Sequence, residues 1–221
     1  MGTDRFHTGR RRALRLLFAA PFAATMLGPL LSADEAAAAE ALLAATASGR
    51  NKVATPECGD DDEPTPSETA GPFFKPRSPE RASLIEDGMP GTRLELTGRV
   101  FGRNCLPLAG ALLDFWHADD AGNYDNEGYR CRGHQFTDAE GRYRLATVLP
   151  GLYPGRTRHI HVRVQAPPAG DTPGRFLTSQ LYFPGEARNR RDGLFMPQLL
   201  VAMDPGASPA RGRFHFLLNA G

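Results

Sequence analysis

Between Arg93 and Phe101 apolar and polar residues alternate, with Leu94 and Leu96 two apart and Val100 continuing the series. A two-residue period turns one face of an extended strand toward a core and the other toward water. Ala111 to Ala118 is a mostly apolar run that holds the sequence's only tryptophan, Trp116. Gly141 to Val148, His159 to Gln165, Phe176 to Phe183 and Arg213 to Leu218 are further short strand candidates. Pro-Gly pairs at 150–151, 154–155, 173–174 and 184–185 punctuate them as turns. Only Glu186 to Asp192 suggests a helix, and it is short. No internal repeat is visible. The pattern predicts an all-β chain, a single antiparallel β-sandwich domain over residues 67–221.

Composition agrees with that reading. Twenty-four glycines and 19 prolines suit short strands joined by turns better than long helices. With 26 Lys+Arg against 25 Asp+Glu, no charge excess calls for a nucleic acid or a membrane surface as partner. Ahead of the domain, Arg5, Arg10, Arg11, Arg12 and Arg15 precede an uncharged apolar run from Leu16 to Ala33, followed by the alanines 36–39. This is the layout of a signal peptide over residues 1–39, and the arginine cluster has twin-arginine character. The run is also long enough for an uncleaved anchor, but Gly28, Pro29 and the alanines favour cleavage. The expectation is export to the periplasm or beyond, with no stable membrane partner after cleavage. Residues 40–66 are alanine-rich, then acidic and proline-rich, and are expected to be a disordered linker. Cys58 lies in that linker, so Cys105 and Cys131, both inside the domain, are the expected disulfide pair. No CxxC spacing offers a zinc site.

The sharpest chemical signal is His159-Ile160-His161. Side chains two apart on a strand leave the same face, with Cα atoms roughly 6–7 Å apart, close enough for two imidazoles to share one metal ion. Two such histidines also occur on ordinary solvated strands, so the neighbours decide. No glutamate follows as a cupin-type site requires, and no HxD or HxE supplies an iron(II) carboxylate. The anionic oxygens within reach in sequence are tyrosines: Tyr153 just before the strand, and Tyr124 or Tyr129 after Trp116. A phenol titrates near pH 10, so tyrosinate is a good ligand only for a strongly polarising cation. Two tyrosinates and a hydroxide balance the charge of iron(III).

Several segments together resemble the intradiol ring-cleavage dioxygenases, the family of protocatechuate 3,4-dioxygenase and catechol 1,2-dioxygenase. They are Ser67–Phe74 (SETAGPFF), Trp116-His117-Ala118, Gly122-Asn123-Tyr124, Thr137–Tyr143, Pro150–Tyr153, Arg156–His161 and Ser179–Phe183. The resemblance implies Fe(3+) held by Tyr124, Tyr153, His159 and His161, with Tyr153 the ligand released when substrate arrives. It implies that Arg156 and Gln180 stabilise charge on the activated ring, and that Gly71, Pro72 and Trp116 line the substrate pocket. The partners implied are a small catechol-type substrate and O2. Arg156 would point away from His159 in an unbroken strand, so a turn at 154–155 has to reorient it. Tyr143 and Tyr182 are expected to be core or rim aromatics, Arg158 and Arg163 to be solvated, and His117, His134 and His215 to be structural or surface histidines. The interval from Tyr153 to His159 is shorter than in the best-known members, which opens the pocket and leaves the particular catechol unspecified. No helical dimerisation segment is read, so the catechol 1,2-dioxygenase dimer is not carried over and the oligomeric state is unassigned. The rival expectation is an exported β-sandwich binding module without turnover, which need not keep all four ligands.

Overall fold

The computed structural model describes residues 63–219. Nine strands run through them: β1 (Arg93–Phe101), β2 (Leu112–Trp116), β3 (Arg132–Phe136), β4 (Arg142–Val148), β5 (His159–Gln165), β6 (Phe176–Tyr182), β7 (Ala202–Met203), β8 (Ala210–Arg213) and β9 (Phe216–Leu217). One sheet has the order β4-β1-β8-β7 with β9 also on β1, and the other has the order β3-β2-β5-β6. The two form the all-β sandwich that the alternating pattern predicts. The expected signal segment 1–39 and the expected linker as far as residue 62, including Cys58, lie outside the described residues. Thr65 exchanges hydrogen bonds with Leu217, so among the described residues contacts with the domain already precede Ser67.

The core forms where the inward faces meet. On β5, the β-branched residues Ile160, Val162 and Val164 are fully buried among Leu94, Leu96, Leu113, Phe115 and Leu145. Each such side chain contributes roughly 1.5–3 kcal/mol on burial. The same alternation turns His159, His161 and Arg163 to the outer face of this second sheet. Strand register sets Arg132, Trp116, His161 and Gln180 in one row across that face, and His134, Asp114, Arg163 and Thr178 in the next.

This outer face is covered by chain rather than by water. The segment from Ser67 to Ser83 lies over it: the Glu68 amide donates to Thr178 O at 2.8 Å, the Ser78 hydroxyl to Asp114 at 2.7 Å, and the Arg81 amide to His134 O at 2.8 Å. Phe74 packs edge-on against Trp116, with ring centroids 4.9 Å apart. A polar row is thereby buried between a sheet and a strap.

Several expectations change. β8 and β9 run parallel to β1: the chain enters this sheet at β7, turns back antiparallel into β8 beside β1, and continues in the same direction into β9. The stretch 213–218 is two strands, and His215 between them accepts the Arg99 amide on Nδ1 at 3.0 Å, filling a gap in the ladder. Glu186 to Asp192 holds only a 3-10 turn, Ala187–Arg190. Arg158 and Arg163 are half-buried instead of solvated: Arg158 pairs with Glu186 at 2.6 Å, and Arg163 lies over the rings of Phe74 and Phe176. The expected Cys105–Cys131 bridge is absent. Cys105 is disulfide-bonded, but Cys131 is a free buried thiol packed with Met89 and Val148. Val148 pairs with Arg93 at the start of β1, while Cys105 follows the strand's far end. Eight residue steps of strand separate those ends by about 27 Å, far beyond the roughly 7 Å limit between Cα atoms for a disulfide.

Candidate metal centre

Two connections rise beside the buried polar row. The β2–β3 connection carries Tyr124, and the β4–β5 connection carries Tyr153 and Arg156. They touch through their glycines. Gly122 has φ +90°, and a Cβ there would run into the carbonyl oxygen of Leu152; a Cβ on Gly151 would meet the backbone of Asp120 and Gly122. The Gly151 amide donates to Asp119 O at 2.6 Å. Only glycine allows backbones this close, so the Gly-x-Tyr and Pro-Gly-Leu-Tyr segments bring their tyrosines together. The Tyr124 loop is held further by Lys75, which donates to Glu127 O at 2.6 Å and Gly128 O at 2.9 Å, and by buried Arg132, which donates to Asp125 O and Phe73 O.

Tyr124, Tyr153, His159 and His161 form a closed group of rings. Centroid separations are 5.7 Å between the tyrosines, 5.5 Å from Tyr153 to His159, 4.8 Å between the histidines and 6.4 Å from His161 back to Tyr124. The Tyr153 hydroxyl lies 3.5 Å from His159 Nε2. His159 Nδ1 donates to Thr157 O at 2.7 Å, which leaves the Nε2 lone pair free for the centre. His161 stacks on Trp116 with centroids 5.1 Å apart and planes 1° from parallel. On its other side is Gly71, where a Cβ would come within 3.3 Å of the imidazole. Pro72 is exposed.

The electrostatics favour neutral nitrogen ligands. Burial, and then the Arg156 charge, push His159 down to about 4. Burial, His159 and Arg156 hold His161 well below the ordinary range. Burial raises the Tyr124 phenol above its usual value, Tyr153 adds to that, and Arg156 and Arg132 oppose it. Tyr124 Oη is buried without a hydrogen-bond partner, and such groups are rare unless something else satisfies them. Among the described residues no three His, Cys, Asp or Glu side chains gather as a metal site. A cation at this locus would draw on the phenols, and two imidazoles with two phenols fit a hard trivalent ion.

Arg156 lies against this group. The Pro154-Gly155 turn, with Gly155 at φ +80° and the Arg156 amide donating to Tyr153 O, swings its side chain inward. Its guanidinium donates to Asp192 at 2.9 Å, to the Tyr153 hydroxyl at 3.3 Å and to Gln180 Oε1 at 2.6 Å. Gln180 is fully buried, and its NH2 donates to Glu68 at 3.2 Å and Thr69 O at 3.1 Å, which fixes its oxygen toward Arg156. Burial alone would raise Asp192, but the Thr157 and Leu194 amides and Arg156 outweigh it and hold the carboxylate ionised.

All the expected ligands, together with Trp116, Gly71, Arg156 and Gln180, therefore meet at one place. Tyr129 does not join them: its hydroxyl donates to Pro76 O and Lys75 lies over its ring. Tyr143 belongs to the core and donates to Phe214 O, and Tyr182 is buried beside His159. His117 and His134 make local bonds to Thr147 and Ser78. Sequence reasoning missed Glu68, Phe73, Asp192 and Arg132. Phe73 stacks on Tyr124 at 4.3 Å and meets Tyr153 edge-on. Glu68 and Phe73 stand inside the Ser67–Phe74 segment, whereas no local pattern marks Asp192 or Arg132.

A protein-family model described as Dioxygenase matches residues 69–195. The protocatechuate 3,4-dioxygenase beta chain of Burkholderia cepacia is 34% identical over 140 residues, covering 55% of this chain and 58% of that protein. Catechol 1,2-dioxygenase 2 of Acinetobacter lwoffii is 32% identical over 163 residues, covering 59% and 58%. The chain thus spans 58% of the length of each of these curated relatives. Among solved structures, the dioxygenase domain of a dioxygenase carbohydrate-binding protein fusion from the cellulolytic bacterium Streptomyces sp. SirexAA-E is 52% identical, with a TM-score of 0.68, over 72% of this chain and 100% of that one.

Proposed function

The chain belongs to the intradiol ring-cleavage dioxygenases, and from that membership we propose that it opens catechol-type rings between the two hydroxylated carbons, forming muconate-type diacids. Both atoms of O2 enter the product, so no reductant is consumed. The observation that carries this reading is the closed group of Tyr124, Tyr153, His159 and His161 with Arg156 bonded to the Tyr153 hydroxyl. These four side chains would hold Fe(3+). Bound there, the ion would supply the Lewis acidity that stabilises phenolates and a deprotonated catechol.

The protein's own groups account for the rest. The Tyr153 phenolate would be the base that takes up a catechol proton. Arg156, anchored by Asp192, and Gln180, oriented by Glu68, present a fixed positive charge and a fixed amide dipole where negative charge develops on the ring. Such preorganised groups need no rearrangement during reaction. Trp116, Phe73 and Phe74 wall the locus with aromatic surface and keep bulk water away. The N-terminal basic and apolar segments support export, and with it action on aromatics outside the cytoplasm, such as plant-derived phenols; ring-cleaving activity confined to the cytoplasm would overturn that part.

Protein expressed with ample iron should be red-brown from tyrosinate-to-iron charge transfer and should consume oxygen with catechol. Tyr153→Phe should retain iron but turn over slowly, and His161→Ala should lose the metal. Equal iron content in His161→Ala and the parent would contradict the ligand set.

A further inference from the structure

A second concentration of chemistry lies on the outer face of the other sheet. Strand register sets Arg99 opposite Arg142, and sets Thr97 between Arg144 and Arg213. Cross-strand partners share a face, and like charges directly opposite one another destabilise a sheet. Arg142 is neutralised by Asp138 at 2.7 Å and Glu140 at 2.6 Å, and Arg144 by Glu95 at 2.9 Å. Among the described residues, no carboxylate lies within ion-pairing distance of Arg99 or Arg213. Both line a cavity of about 550 Å³, together with His215, Phe136 and Gln135. That volume is in the range of small-molecule sites.

Gln135 borders the same cavity from β3. It is only 8% exposed, and its Oε1 accepts the Arg144 amide at 3.3 Å, yet its Nε2 is buried with no hydrogen-bond partner. An unmade bond of that kind costs about 1–3 kcal/mol. His215 titrates low because it is buried and because Arg213 and then Arg99 repel its proton, so both guanidinium charges lie close to its ring. The uncompensated groups, the guanidiniums of Arg99 and Arg213, both donate. They call for an anion rich in acceptors, and a planar carboxylate matches the guanidinium fork. Phe136 is 51% exposed beside them and offers an aromatic face to a ring.

We propose that this cavity is a binding site for an aromatic carboxylate, with the carboxylate on Arg99 and Arg213 and the ring against Phe136. Arg99 and Arg213 lie on the sheet that does not carry His159 and His161, while Phe136 comes from β3, the edge strand of the sheet that does; the proposal does not depend on the ring-cleaving reading.

Titration calorimetry of the iron-loaded protein with benzoate tests this, with acetate as the ring-free comparison. Saturable benzoate binding should weaken at least tenfold in the Arg99→Gln/Arg213→Gln variant and severalfold in Phe136→Ser. Catechol turnover by both variants should stay within twofold of the parent. No saturable binding, or the same benzoate affinity in parent and double variant, would overturn the site. Acetate binding as tightly as benzoate would overturn the aromatic assignment.

Discussion

Arg156 and Asp192 stand 36 residues apart in sequence, yet one carboxylate oxygen of Asp192 takes both the Arg156 Nε–H and the Thr157 amide. The aspartate is 8% exposed and touches none of the four ligand rings, so its effect runs through the arginine. A hydrogen bond between charged groups contributes about 1.5–3 kcal/mol. Asp192→Asn should therefore lower kcat on the order of tenfold while KM moves less and iron content is unchanged; full activity in that variant would show that Arg156 holds its place without the carboxylate. The histidine pair was legible in the sequence from the HIH spacing alone, whereas Tyr124, Tyr153 and Arg156 were singled out by the resemblance of their segments to the family's. Asp192 was not legible, since its partner is fixed by how the β6 crossover folds back and not by any nearby residue. Arg132 was hidden for a related reason: an arginine in sequence reads as surface, and only the converging carbonyls of Asp125 and Phe73 explain its burial.

At the level of elements, β5 was readable to the residue, since His-Ile-His-Val-Arg-Val-Gln alternates without a break. β3 (Arg-Gly-His-Gln-Phe) was not, because its outward side faces a polar strap and its inward side carries Gly133 and Gln135, leaving no apolar period to detect. The connections are specified more tightly than the strands they join. Gly122 and Gly155 both have positive φ, but a Cβ at Gly122 strikes Leu152 O while one at Gly155 meets nothing within 4 Å. Gly155→Ala should cost about 1 kcal/mol of stability from backbone strain alone. Gly122→Ala adds a clash with the neighbouring backbone and should cost roughly 2–4 kcal/mol. It should also weaken iron binding at least tenfold, by spreading Tyr124 from Tyr153. Urea denaturation and iron titration of the two variants check this, and equal effects would mean that contact between the connections does not position the tyrosines.

For the molecule as a whole, acid sensitivity follows from a histidine outside the metal centre. His117 is 1% exposed, with Nδ1 bonded to Ala118 O and Nε2 to Thr147 Oγ1. Burial holds its pKa at about 4 against 6.5 in a free chain. Between those values the unfolded chain binds a proton that the folded one refuses, so stability falls as pH drops from about 6.5 toward 4 and is undiminished above 6.5. The loss attributable to this residue approaches about 3 kcal/mol. Urea midpoints measured across that range should decline in the parent and decline less steeply in His117→Gln; parallel slopes would assign the sensitivity elsewhere. The sandwich class was visible in the strand pattern, whereas the parallel seating of β8 and β9 and the separation of Cys105 from Cys131 depend on long-range topology.

The strap from Ser67 to Ser83 has a consequence for the order in which the molecule is completed. It leaves the ribosome before any strand, yet the Glu68 amide and the Ser67 hydroxyl anchor on Thr178 O, and Ser179 reaches back to Pro66 O. The earliest segment of the domain to be synthesised is thus among the last to be seated, because its anchor is made more than a hundred residues later. A nascent chain halted before β6 would carry both histidines and both tyrosines with no roof over them. Closure of the pocket is therefore a late event, available only to a chain in which β6 has already been made.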